Sequence, residues 1–314
     1  MKKLQCELCG SVDIVKTADN LFQCQYCGCK YTLEQARYLI QGKVTAVQPD
    51  FTIRAGKLER YNGEATEVEI PPHVKIIGTD AFKDCSGMTQ VLIPNGVDTI
   101  ESGAFSACTG LREITIPESV ATIGARAFSG CTNLVSIALP SNLTSIEQSV
   151  FEGCTKLTSI RIPHRVTSIG GRAFYECKSL SAISLPNSVS SIGRQAFEGC
   201  FSLAAITIPE GVTSIKEYTF SGCTSLTKVS VPRSVTTIEI WAFAGCIRLS
   251  DIVIPKSVIS ISFDAFRGCT FMDNRQRARQ CIYCGGKLTL FSTKCKVCGR
   301  LDDSEKIQYY TDCC

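Results

Sequence analysis

The chain is poor in the side chains that most enzymes use. Only two histidines, His73 and His164, occur in 314 residues. They sit at different offsets of a repeat and about four repeats apart, so no histidine pair or histidine–nucleophile couple can be argued. A glycine-rich phosphate loop is also missing. No apolar run approaches the ~18–20 residues needed to span a bilayer. The first residues, MKKLQCELCGSVD, hold two lysines with no apolar stretch behind them, which reads as no secretory leader. The expectation is therefore a non-catalytic protein in a reducing cytoplasm, without membrane contact.

Charge of one sign is lacking too. Net charge is +4. Residues 1–50 carry six Lys/Arg and five Asp/Glu, residues 51–269 carry 19 of each, and residues 270–314 carry eight and five. The central region is neutral, and the mild excess belongs to the C-terminal tail. That argues against nucleic acid as the main partner.

Cysteine is what the chain has in plenty. Its 20 cysteines fall into three sets. Nine recur every 23 residues, from Cys85 to Cys269, and a phenylalanine precedes each by three, from Phe82 to Phe266. A fixed period of this length marks a solenoid whose coils bury an apolar face only by stacking. Residues 109–131 show the template, L-x-x-I-x-I-P-x-x-V-x-x-I-G-x-x-A-F-x-x-C. Alternation predicts a strand at Glu113–Ile116 with Ile114 and Ile116 inward. Pro117 closes it. A second short strand runs Val120–Ile123, Gly124 turns the chain, and Ala127, Phe128 and Cys131 suit one inward helical turn. The phenylalanines are expected to form a spine, and the periodic thiols to be buried filling.

This template resembles the BspA-type leucine-rich repeat family over residues 63–269, in nine copies. The resemblance implies a curved solenoid whose strands line one face and whose members mediate protein–protein contacts. The flanking cysteine modules resemble those of cytoplasmic bacterial members with zinc ribbons at both ends.

The second set of cysteines forms two tetrads, Cys6-x2-Cys9 with Cys24-x2-Cys27 and Cys281-x2-Cys284 with Cys295-x2-Cys298. A glycine follows each pair: Gly10, Gly28, Gly285 and Gly299. This is zinc-knuckle spacing, where a tight turn aims two thiolates at one ion and glycine supplies room or positive φ. Two Zn2+ ions in closed four-thiolate sites are expected, structural because no coordination position stays open. Iron in a rubredoxin-like site is the alternative. Cys29, Cys313 and Cys314 are left over.

The fold class is thus a mainly β solenoid with one short helical turn per coil, flanked by two small zinc ribbons. The boundaries are an N-terminal ribbon at 1–30, a short helix and linker at 31–50, a leading cap at 51–62 with an Asn62-Gly63 turn, nine repeats at 63–269, a basic connector at 270–280, a C-terminal ribbon at 281–300 and a polar tail at 301–314. The expected function is an interaction scaffold, monomeric and binding protein partners. The alternative is a nucleic-acid-associated or regulatory protein working through its ribbons and the Arg275, Arg277 and Arg279 connector.

Two surfaces are candidates. Outward strand positions such as Glu113/Thr115, Ser159/Arg161 and Lys228/Ser230 are small and mixed, and a Ser/Thr ladder runs beside them. In the last repeats, variable positions become apolar or aromatic, so Tyr218, Ile240, Trp241 and Phe263 should cluster on one edge. That cluster either meets a partner or docks the chain's own C-terminal segment.

Overall fold

The computed structural model describes residues 6, 14–17, 21–25, 28–31, 50–250, 252–262 and 264–271. The chain opens with three short antiparallel strands, β1 (Ile14–Lys16), β2 (Phe22–Cys24) and β3 (Lys30–Tyr31), in that order across the sheet. A hairpin follows, β4 (Phe51–Arg54) with β5 (Lys57–Tyr61). Its turn is Ala55-Gly56, with φ of 47° and 77°. Two successive left-handed residues match the right-handed twist of a hairpin. The turn lies there and not at Asn62-Gly63, because Asn62 is tied to the neighbouring strand by its amide to the Asp50 carbonyl at 2.6 Å.

From β5 onward each coil lays its strands parallel to those of the next. Glu113↔Ser136 and Ile114↔Ile137 show the step of 23 residues. The first strand of a coil is three residues long and the second two, as in Glu113–Thr115 and Thr122–Ile123. First strands read exposed–buried–exposed, so Ile114 points in while Glu113 and Thr115 face water. Proline ends the first strand and starts a β-turn in every coil. The amide of the apolar residue three places on donates to the proline carbonyl, as in Val120 to Pro117 at 3.0 Å and Val189 to Pro186 at 3.0 Å. The first-strand ladder is divided into three sheets: Glu67–Glu69 through Ser136–Ala138, Ser159–Arg161 with Ala182–Ser184, and Ala205–Thr207 with Lys228–Ser230.

The expected helical turn is not a helix. The segment from Gly124 to Cys131 is a run of overlapping turns, with Ala127 N–H to Gly124 O (3.2 Å), Ser129 N–H to Arg126 O (3.0 Å) and Cys131 N–H to Phe128 O (3.2 Å). The alternate amides point outward to the next coil: Arg126 to Gln148 O (2.9 Å), Phe128 to Val150 O (3.0 Å) and Gly130 to Glu152 O (2.7 Å). Two left-handed residues per coil make this possible. One column runs through Asp80, Gly103, Arg126, Ser149, Arg172, Gln195, Tyr218 and Trp241 with φ of 54–65°. The other lies just before the periodic cysteine, from Asp84 to Gly268, with φ of 54–75°. An α-helix would spend these amides within the coil. Here half of them bond to the neighbouring coil, so the turns form a third ladder beside the two of strands.

The core is one continuous column. Adjacent phenylalanines from Phe82 to Phe266 stack with centroids 5.0–5.8 Å apart and planes within 16°. Tyr61 closes one end at 5.2 Å from Phe82, and Phe271 the other at 5.2 Å from Phe266. No helix among the described residues is long and apolar enough to cross a membrane.

Candidate interaction surfaces and metal centre

The periodic thiols are buried, as their position after an inward phenylalanine demands, but they are more than filling. Cys108 Sγ donates to the Phe82 carbonyl of the preceding coil at 3.0 Å, and the same bond recurs in every later coil through Cys269 to Phe243, at 3.0–3.2 Å. Each phenylalanine carbonyl also receives the amide of its own coil's cysteine. Cys85 has no coil before it and reaches only the Lys83 carbonyl at 3.9 Å; it is half-buried. Burial pushes the Cys154 thiol up to about 12 and raises Cys177 and Cys200 well above the usual range. These thiols stay protonated at neutral pH. Burial of this kind disfavours the thiolate that nucleophilic attack or metal binding needs.

The N-terminal cysteine module is described in part. Cys6 and Cys24 are both buried and share one small cluster with Tyr31, packed against Ile14, Phe22 and Cys29. The β1–β2 pairing sets Ile14 opposite Cys24, and β3 returns Tyr31 opposite Phe22. Cys6 Sγ lies 3.0 Å from the Tyr31 hydroxyl. Gly28 adopts φ of 74° and donates to the Cys24 carbonyl at 2.9 Å. That is the tight turn a knuckle requires, with the glycine where positive φ is needed. The residues present therefore fit a thiolate site. Cys9, Cys27, Cys281, Cys284, Cys295 and Cys298 lie outside the described residues, as do Cys313 and Cys314 and the arginine connector. In the first coil, burial lowers the proton affinity of the His73 imidazole, and Cys6 opposes the shift.

Of the predicted aromatic edge, Tyr218 and Trp241 are brought together, with ring centroids 4.7 Å apart and a 50° tilt. Both rings and Ile240 are half-buried. The Arg194 guanidinium lies 5.7 Å above the Tyr218 ring and pairs with Glu217 at 3.2 Å. Phe263 lies outside the described residues. Tyr218 and Trp241 both occupy the left-handed column, φ of 54°.

The Ser/Thr ladder is turned to internal use. Thr167, Ser190 and Thr236 each donate their hydroxyl to the carbonyl one coil back, at 3.2–3.3 Å. These groups sew coils together. The first-strand face is equally exposed, in all eight described strands, but its outward side chains make no such coil-to-coil bond among the described residues.

One feature of that face escaped sequence reasoning. A groove of about 540 Å³ crosses coils at the corner between first strand and proline turn, lined among others by Glu118, Leu139, Ser141, Arg161, His164 and Pro186. Its floor is apolar, with Ile162 and Pro163 buried. Glu118 accepts the Ser141 hydroxyl at 2.7 Å and amide at 2.8 Å, and these bonds hold its carboxyl below the usual range. Arg161 forms no ion pair or hydrogen bond with any described side chain. Each residue is unremarkable alone; only the fold aligns the strand position of Arg161 with the turn position of His164.

Residues 59–166 and 144–273 match the family described as BspA type Leucine rich repeat region, in six copies. A search of curated proteins gives no match. Among solved structures, a Leucine Rich Repeat protein of T. pallidum is 31% identical, covering 62% of this chain and 83% of that chain, with a TM-score of 0.45. A leucine rich cell surface protein from Faecalibacterium prausnitzii A2-165 is 23% identical over 82% of this chain and 84% of that chain, TM-score 0.41. Pneumococcal vaccine antigen PcpA is 18% identical over 82% and 79%, TM-score 0.46.

Proposed function

The chain belongs to the BspA-type leucine-rich repeat family, and from that premise we propose that it is a non-catalytic protein-interaction scaffold. Its recognition surface is the face lined by first strands. The observation that carries this reading is the division of labour between faces. Thiols, second-strand hydroxyls and turn amides bond from coil to coil, whereas the exposed outward side chains of the first strands are not used for such bonds among the described residues. The Tyr218–Trp241 edge is a second, smaller contact surface or the seat of the chain's own C-terminal segment.

The two cysteine tetrads hold structural Zn2+ in this reading. Cys6, Cys9, Cys24 and Cys27 form one site and Cys281, Cys284, Cys295 and Cys298 the other. The buried Cys6 and Cys24 and the positive φ of Gly28 support the first. Bound zinc would supply a crosslink where the module's own core is small. The protein acts as a monomer in a reducing compartment, where these thiols remain available to metal.

The scaffold reading is tested by blocking the face. Ser184→Trp, on an exposed strand position, should remove the partners that the wild-type chain retains from its native cytoplasm, while Arg126→Trp on the turn edge should keep them. Loss of the same partners from both variants, or from neither, contradicts it.

A further inference from the structure

We propose that the first-strand face takes an extended polypeptide segment bearing aspartate or glutamate, with its carboxylates seated at Arg161 and, three coils on, at Arg233. This deepens the scaffold reading and rests on it.

Charge along the face is polarised. Glu67, Glu69 and Glu113 are exposed on the early coils, whereas Arg161, Lys228 and Arg233 are exposed on later ones. None of the three cations has an ion pair among the described residues. An unpaired guanidinium at the mouth of an apolar groove is a ready receptor for a carboxylate, which it can grip with two parallel N–H donors. Glu118 makes no ion pair with it; that carboxylate accepts both Ser141 bonds through Oε2. Glu118 instead bounds the site on the early-coil side and repels an acid placed there.

The spacing sets the ligand's register. Coils 5 and 8 are three steps apart, about 14 Å at ~4.8 Å per strand. An extended chain covers that in about four residues at ~3.3 Å each. Acids at i and i+4 would point to the same side and meet both cationic points. Between them Ala182, Ser184, Ala205 and Thr207 are exposed and small, so a backbone can approach closely. Glu210, exposed at the proline corner of the intervening coil, disfavours a third acid midway. These platform positions include no aromatic side chain on which bases could stack, which favours peptide over single-stranded nucleic acid.

Fluorescence anisotropy on the full chain tests this with labelled short peptides. One has acids at i and i+4, one has the acids replaced by amides, and one has lysines; a short single-stranded DNA serves as competing polyanion. The acidic peptide should bind, weaken with added salt, and lose about tenfold or more in affinity on Arg161→Glu. Arg233→Glu should weaken it likewise, with thermal melts showing that both exposed variants fold. Equal binding of the amide peptide, abolished by Ser184→Trp, overturns the acid preference and leaves the scaffold reading standing. Tighter binding of DNA with the same dependence on Arg161 also overturns it. No binding of any peptide overturns it as well, and partner loss on Ser184→Trp then decides the scaffold reading separately.

Discussion

From Cys108 onward, the cysteine of each coil performs two tasks at once. It is small and apolar enough for the core, and its S–H reaches the phenylalanine carbonyl one coil back at 3.2 Å in Cys154. Alanine fills most of the volume but leaves that carbonyl with the Cys131 amide and without its second donor. Cys154→Ala should therefore cost about 1–2 kcal/mol in urea unfolding. The column also makes the fold sensitive to alkali. A thiol ionises near pH ~8.5 in the unfolded chain, whereas Cys154 holds its proton to about 12. The native state then binds the proton more tightly, so its contribution is complete below ~8.5 and is lost as pH rises toward 12, at ~1.4 kcal/mol per pH unit for each such thiol. Urea midpoints taken from pH 7 to 11 should fall steeply, and less steeply in Cys154→Ala. Strain is legible at the same scale. Arg126 sits at φ of 59°, exposed, in the column where Gly103 has 65°. Arg126→Gly should stabilise by up to about 1 kcal/mol in the same assay.

At the scale of the coil, the spine is a continuous apolar contact between neighbours. Phe174 is fully buried and stacks on Phe151 and Phe197 at 5.4 and 5.3 Å. Phe174→Ala should cost about 3–5 kcal/mol by thermal or urea melt, and an unchanged midpoint would contradict the stacked core. Strands, proline corner and spine were all visible in the sequence, because period and alternation report burial directly. The turn ladder was not. One left-handed column carries Asp, Gly, Arg, Ser, Gln, Tyr and Trp at one position, so residue type gives no signal there; the other, just before the cysteine, is mostly glycine from Gly130 to Gly268, which marks a turn but not the inter-coil ladder. The thiol bonds were hidden for a related reason: burial explains a periodic cysteine well enough that its donor goes unsought. Arg161 read as one polar residue among mixed strand positions until the proline corner set His164 and an apolar floor beside it.

At the scale of the molecule, two kinds of stability meet. The solenoid gains its stability by stacking, and the terminal modules, in the reading given above, gain theirs from metal. Elemental analysis should find about two zinc ions per chain. Chelation should then release them without moving the solenoid's main melting transition, since the spine is capped at its two ends by Tyr61 and Phe271; a single zinc or none would remove the two-site reading. In the proposed role partners are recognised through the first-strand face, and photo-crosslinking reads that contact out. A benzoylphenylalanine placed at Ala182, exposed on that face, should give discrete adducts in the native cell. The same probe at Arg126, on the exposed turn edge, should give none. Adducts from Arg126 alone, or equal capture from both positions, would contradict recognition by the strand face.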